Sequence, residues 1–223
     1  HIYQQELLNR CRASGFDAES EVLLTAVHAD FRKDDYLDML VNGGVIYELK
    51  TAETLHAAHD AQLIHYLLLS GLRHGKLLNF RPVSLQWRFV STRIESVERM
   101  SVEVVDVDWE ARDRVSRHLR ELFQELLRDW GLCLDIGLYR DALLFFLDGK
   151  DMGFLPVELV VNGRVVGCQH MCLLSQTVAW HLSAVKEHSL GSYESHLQRM
   201  LVNTRLDTFQ WINFDHQRIT FKT

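Results

Sequence analysis

Two carboxylates and an amine lie close together in the segment Tyr36-Leu-Asp38-Met-Leu-Val-Asn-Gly-Gly-Val-Ile-Tyr-Glu48-Leu-Lys50. An acid sits in one apolar run, a turn follows, and a second apolar run ends in Glu-x-Lys. Strand alternation puts Glu48 and Lys50 on one face, because successive side chains point to opposite sides. Asn42-Gly43-Gly44 is tight-turn chemistry that folds one strand back on the other. Asp38 then comes beside Glu48 across the hairpin. Two carboxylates with an ammonium beside them suit a hard divalent cation. The competing interpretation is a half-exposed hairpin with scattered charges, since an acid ten residues before Glu-x-Lys is a loose pattern.

The elements around this hairpin favour the site. From Thr54 to Gly71 the apolar pattern turns helical, with Leu55, Leu63, Leu67 and Leu68 among its positions. His59, Gln62 and Tyr66 fall at i, i+3 and i+7 and share a face. A polar stripe on an apolar helix just after Glu-x-Lys is expected to lie along the same site.

These residues resemble the PD-(D/E)XK nuclease superfamily and, more narrowly, the bacterial GxxExxY proteins. The resemblance is carried by Glu21-Val22, Asp38-Met-Leu-Val, Val45-Ile-Tyr-Glu-Leu-Lys50 and His59-Asp-Ala-Gln62-Leu-Ile-His-Tyr66-Leu. Ser70-Gly71-Leu72-Arg73 and Leu77-Leu78-Asn79-Phe80 extend it, so that it runs over residues 3–90 in unbroken order. Two departures stand out. The name-giving Gly and Glu would precede Tyr3, yet the sequence begins at His1 without Met, so a fragment with a truncated first helix is expected. The arginine often found two residues before the hairpin acid is Tyr36.

The resemblance implies metal-dependent phosphodiester hydrolysis of nucleic acid, DNA ahead of RNA. It makes Asp38 and Glu48 ligands of Mg²⁺ or Mn²⁺, with the Leu49 carbonyl as a third oxygen. The ion polarises the phosphate and acidifies the attacking water. Lys50 positions that water and offsets charge on the pentavalent phosphate. Gln62 and Tyr66 orient Lys50 or a phosphate oxygen, with His59 at the rim and Glu21 as an accessory acid.

At 223 residues and 47% apolar, the chain can bury a sizeable core. Its net charge of -6 offers no bulk attraction to nucleic acid, though a local basic groove remains compatible with it. Cys11, Cys133, Cys168 and Cys172 form no CxxC pair or secreted-framework spacing, and no apolar run is long enough to span a membrane. A reducing cytoplasm is the expected compartment.

The sequence also repeats itself. Leu77-Leu-Asn79-Phe80, followed by Val83 to Phe89, recurs as Trp211-Ile-Asn213-Phe214 followed by Arg218-Ile-Thr-Phe221. An apolar helix precedes each, and Tyr3-Gln-Gln-Glu-Leu-Leu8 echoes Tyr139-Arg-Asp-Ala-Leu-Leu144. With one gap, this register sets Cys172 opposite Asp38, His181 opposite Glu48, Ser183 opposite Lys50, His196 opposite Gln62 and Met200 opposite Tyr66. Cysteine and histidine are poor Mg²⁺ ligands, and serine carries no charge. The second copy therefore keeps the scaffold and loses the site.

Between Asp108 and Trp130, Val115, Leu119, Leu122 and Leu126 recur at i, i+4, i+7 and i+11, an amphipathic helix expected to be the second copy's own first helix. Gly131, Asp135 and Tyr139 make a stretched echo of the family's glycine, glutamate and tyrosine. Arg112, Arg114, Arg117 and Arg120 stud the polar face, read as solvated, with phosphate tracking as the alternative. Cys168, His170 and Cys172 alternate along a strand and with His181 or His196 could hold zinc, although the spacing is not a common zinc-finger one.

The expected fold is α/β, a mixed central sheet flanked by helices as in restriction endonucleases, built twice as an intramolecular pseudo-dimer that could be monomeric. The expected domains are residues 1–92, a connector at 93–107 (linker or added edge strand), and a degenerate copy at 108–223. One live site would cut one strand at a time, by nicking or single-strand trimming. The rival reading is a catalytically inactive nuclease-fold scaffold or interaction protein, and a third is metal binding without catalysis.

Overall fold

The computed structural model describes residues 2–111, 113–147 and 152–223. Arg112 of the basic series and the initial His1 lie outside the described residues. The chain divides into two compact units, residues 1–95 with 133–135, and residues 96–132 with 136–223. Both are mixed α/β. Among the described residues, no helix is long and apolar enough to cross a membrane.

The first unit runs α1 (Ile2–Ala13), β1 (Ala18–His28), β2 (Phe31–Val41), β3 (Val45–Lys50), α2 (Ala57–Ser70), β4 (His74–Asn79) and β5 (Gln86–Ser91). Its strands lie in chain order, antiparallel except for the parallel pair β3 and β4. The β2–β3 turn is made by positive φ at Asn42 (50°) and Gly43 (59°), the pair of left-handed residues that suits a twisted hairpin. A parallel pair needs a crossover, which α2 supplies before Gly71 ends it in the left-handed region at φ 71°. Leu63 and Leu67 of α2 bury against Leu37, Ile46 and Leu77 on one sheet face. Leu8 of α1 covers Ala18, Met39 and Val41 on the other. Gly75 permits the close approach of α2, because a Cβ there would stand 2.8 Å from Leu63 Cδ1.

The second unit runs α3 (Ser96–Met100), β6 (Glu103–Asp106), α4 (Arg114–Trp130), α5 (Ile136–Phe146), β7 (Gly153–Val161), β8 (Arg164–Leu173), β9 (Val178–Ser183), a 3₁₀ turn (Glu187–Ser189), α6 (Leu190–Val202), β10 (Thr208–Asp215) and β11 (Arg218–Lys222). The strand order is β6-β11-β10-β9-β8-β7. From α5 onward the sequence of elements is that of the first unit, helix, three strands, helix, two strands. Of its two parallel pairs, β9 with β10 falls at the same place as β3 with β4.

Two sequence expectations change. The helix expected over residues 108–130 begins at Arg114, where the Asp113 side chain caps it by accepting from Ser116 N at 2.6 Å. It buries Leu119, Leu122 and Leu126 as expected. The helix that leads into the strands, however, is α5, which carries the Tyr139 that echoes Tyr3. Gly131 and Cys133, both at positive φ, break the chain between the two helices. The segment read as linker or edge strand holds α3 and the edge strand β6, which pairs in parallel with β11. Arg120 meets Asp106 at 2.6 Å and lies over the Phe221 ring, which leaves Arg114 and Arg117 exposed.

A buried asparagine ends the parallel pair in each unit. Asn79 accepts from Ala52 N at 3.0 Å and donates to Ala52 O at 2.8 Å. Asn213 does the same with Val185, at 2.8 Å for both bonds. These amides satisfy the backbone just past Lys50 and Ser183, where the ladders stop. Removing either leaves a half-buried N–H and C=O without that partner, which costs about 1–3 kcal/mol for the pair. Asn79→Ala and Asn213→Ala are each expected to lower stability by that amount, measured by urea unfolding.

Candidate active site

The β2–β3 ladder pairs Val41 with Val45, Leu40 with Ile46 and Met39 with Tyr47, and then stops. One step further, Asp38 stands across from Glu48. There the Asp38 carboxylate takes the place of a backbone acceptor, receiving Leu49 N on Oδ2 at 2.7 Å. The partner ladder is also interrupted, between Ser20/Met39 and Val22/Leu37. Glu21 lies in that gap at φ 54°, a strained conformation for a side chain of its kind. The pleat slips with it, so that Leu37 packs with the α2 core while Met39 packs with the α1 core. Asp38 is the residue between, at the point where β2 changes faces.

Gln4 secures the interruption from α1. Its Nε2 donates to Glu21 Oε1 at 2.7 Å and to the Asp38 carbonyl at 2.8 Å. Gln4 is 9% exposed, and sequence reasoning missed it. The one available signal was its place beside Tyr3 in the repeated helix. Tyr3 stacks on Phe80 with ring centroids 4.8 Å apart. With Glu21, Asp38, Leu49 and Lys50, these residues line a cavity of about 280 Å³.

Glu48 is 4% exposed. Its Oε1 accepts from Lys50 Nζ at 2.8 Å, and its Oε2 is buried with no hydrogen-bond partner among the described residues. Lys50 Nζ also donates to Gln62 Oε1 at 2.7 Å, and Gln62 Nε2 donates to Tyr66 OH at 2.9 Å. An ammonium has only donors, so it fixes which end of the Gln62 amide faces it. Burial pushes the Glu48 carboxyl up to about 7, against the Lys50 hydrogen bond and with help from the Asp38 charge. Burial also raises Asp38, opposed by the Leu49 N–H and by Lys50.

The structure therefore joins Glu48, Lys50, Gln62 and Tyr66 in one hydrogen-bonded chain, with Asp38, Leu49 and Glu21 beside it. His59 is not part of that chain. Its Nδ1 accepts from His56 N at 3.3 Å, and its ring stacks on His56, at the start of α2. Burial lowers its pKa, and the His56 and Lys50 charges add to the effect.

The donor set fits a hard cation. Among the described residues no three His, Cys, Asp or Glu side chains converge to hold a metal. An ion at Asp38 and Glu48 must complete its shell with backbone carbonyl and water, as Mg²⁺ commonly does. The orphaned Glu48 Oε2 is an acceptor with nothing to accept from, which is a stated need for a cation or donor. For the zinc reading, Cys168 and His170 are exposed and Cys172 is buried, with no converging trio.

Residues 1–90 match the family model of the PD-(D/E)XK nuclease superfamily. The PD-(D/E)XK match spans the elements that carry Asp38, Glu48 and Lys50, and supports phosphodiester hydrolysis of the nuclease type in general. Nucleases of this superfamily typically use divalent metals and act on nucleic acid. The crystal structure of SSO0001 is similar over 43% of this chain, at 18% identity and a TM-score of 0.36. The aligned part is 51% of that chain, so about half its length is spanned. No curated protein matches the chain significantly.

In the second unit, β9 pairs His181 with Trp211 and Ser183 with Asn213, as β3 pairs Glu48 with Leu77 and Lys50 with Asn79. The positions of His181 and Ser183 thus follow the sequence register. Cys172 does not. It pairs with Trp180, and extending that register sets Met171 across from His181, one residue away from the sequence expectation. The reason is that the required gap fell between Cys172 and His181, where the β8–β9 loop has its own length.

Because the Glu48 pKa is raised on folding, the native state binds a proton that the unfolded chain releases above its ordinary value of 4.5. Stability from this group is full below that pH and is lost as pH rises through about 7. Thermal unfolding of chelator-treated protein should show a downward slope in that window. Glu48→Gln is expected to flatten it, and Mg²⁺ or Mn²⁺ should raise the melting temperature of wild type above pH 7 but not that of the variant.

Proposed function

We propose that the first unit is a nuclease that hydrolyses nucleic acid phosphodiesters from a single site, with Mg²⁺ or Mn²⁺ held by Asp38, Glu48 and the Leu49 carbonyl. The observation that carries this reading is the division of the Glu48 carboxylate, one oxygen on Lys50 and the other buried and open. Leu49 N–H points at Asp38, and the carbonyl of a strand residue points to the same side as its N–H. Leu49 O therefore belongs to the same gap.

A divalent ion there supplies charge neutralisation at the phosphate and acidifies the attacking water. Lys50 holds its ammonium beside the phosphate and offsets the negative charge that develops on it. Gln62 fixes Lys50, Tyr66 fixes Gln62, and both limit the freedom the ammonium would otherwise lose on binding substrate. Glu21 adds a second carboxylate to the cavity that Asp38 lines, and His59 stands at the start of the helix that carries Gln62.

The second unit is read as a degenerate copy, its boundary with the first falling after β5. The shared order of elements, the shared parallel pair and the paired Asn79 and Asn213 support this. With Met171, His181 and Ser183 at the three positions, it lacks the carboxylates and the lysine. One working site cuts one strand at a time, so nicking or single-strand cutting is the expected mode, on DNA ahead of RNA.

The test is cleavage of labelled single- and double-stranded DNA and RNA, and of supercoiled plasmid, with Mg²⁺ or Mn²⁺. Lys50→Ala is expected to slow cutting by about 100-fold or more, and plasmid should accumulate as open circle before linear. Equal inertness of wild type and variant, with metal binding intact in calorimetry, would favour the scaffold reading. In a separate comparison Tyr66→Phe, which breaks only the outer link to Gln62, is expected to cost about tenfold or less in kcat with KM unchanged.

A further inference from the structure

The second unit has its own cavity where β8 and β9 part, about 240 Å³ in volume and bounded by α5 and α6. In the first unit the corresponding space is lined by Glu21 and Asp38 and suits a cation. Here no carboxylate lines the wall among the described residues, and Arg140 with His170, His181 and His196 does. Arg140 stands one residue after Tyr139, as Gln4 stands after Tyr3. The residue that steadies two acids in one unit is thus a guanidinium in the other. The electrostatic preference of the space is reversed.

The remaining polar groups agree. Trp180 is 2% exposed and lines the cavity, and its buried indole Nε1 has no hydrogen-bond partner among the described residues. A buried donor left over in a residue of the cavity wall calls for an acceptor. Cys172 adds no negative charge, because burial pushes its thiol up to about 11. His181 is engaged with Tyr193 OH at 2.5 Å. Among the described residues Arg140 meets only its neighbour Asp141, at 3.4 Å, and its side chain is 48% exposed. Phe154 and Met200 supply apolar wall, the mixture of apolar lining and few directed polar groups that small-ligand sites show.

We propose that this cavity binds a phosphomonoester, with Arg140 gripping the phosphate at the mouth and Trp180 donating from within. A planar guanidinium matches phosphate with two parallel hydrogen bonds. The phosphate can belong to a free mononucleotide or to the phosphorylated end of a strand. The site stands on the cavity's own lining and does not depend on cleavage by the first unit.

The experiment is isothermal titration calorimetry of the full chain in chelator, with inorganic phosphate, adenosine 5′-monophosphate, adenosine, acetate, and a short oligonucleotide with 5′-phosphate or 5′-hydroxyl. The phosphate-bearing probes should bind, and adenosine and acetate should not. Arg140→Gln should weaken binding at least tenfold. Trp180→Phe should weaken binding without lowering the melting temperature, because it removes a donor that has no partner among the described residues. Tighter binding of the phosphorylated oligonucleotide assigns the strand end, and tighter binding of the mononucleotide assigns the free ligand. No binding at millimolar probe, equal binding to Arg140→Gln, or equal binding of acetate would each overturn the proposal.

Discussion

A carboxylate buried at the end of a strand is the constraint on which the first unit turns. Glu48 sits in a place where its charge is poorly solvated, and one ammonium stabilises it on one side only. Burying an ion with half its partners is unfavourable unless the surroundings hold the geometry. Much of the neighbourhood does so. The β2–β3 ladder ends to make the space, and Asp38 captures the Leu49 N–H that the ending exposes. Gln4 pins the break from α1, and Gln62 with Tyr66 pins Lys50 from α2. Both helices are thereby tied to the same gap from opposite faces of the sheet.

Much of this was legible in the residues. Glu48 and Lys50 had to share a face because a strand alternates, and Gln62 and Tyr66 had to share one because a helix repeats near four. The turn at Asn42 and Gly43 was legible because few residues accept positive φ. What escaped was of another kind. The face change at Asp38 depends on the left-handed backbone of Glu21, and no periodicity announces a residue that breaks the period. Gln4 was missed because a glutamine in a helix is ordinarily a surface residue, and only the tertiary gap makes it a buried clamp. The displacement of Cys172 has the same origin, since the length of a loop is not fixed by the strands it joins.

The two units illustrate how little of a fold is committed to a chemistry. Their order of elements agrees, and each ends its parallel pair with an asparagine that clamps the following loop. At the strand break, by contrast, Asp38 and Glu48 are answered by Met171 and His181, and Gln4 by Arg140. Packing residues obey the sheet and helix faces, which are the same in both. Residues facing the gap obey only whatever enters it.

The parallel edge strand β6 has a consequence for how the chain is made. Each strand of the first sheet joins partners within a short stretch of sequence, so that sheet can close once residue 91 has been synthesised. The second cannot. β6, at residues 103–106, has among the described residues its one ladder with β11, at 218–222, so it waits through more than a hundred residues of synthesis for its partner. Contacts so distant in sequence form late, and a strand edge left open meanwhile is prone to the wrong neighbour. The brevity of β6, four residues long, limits that exposure, as short edges do.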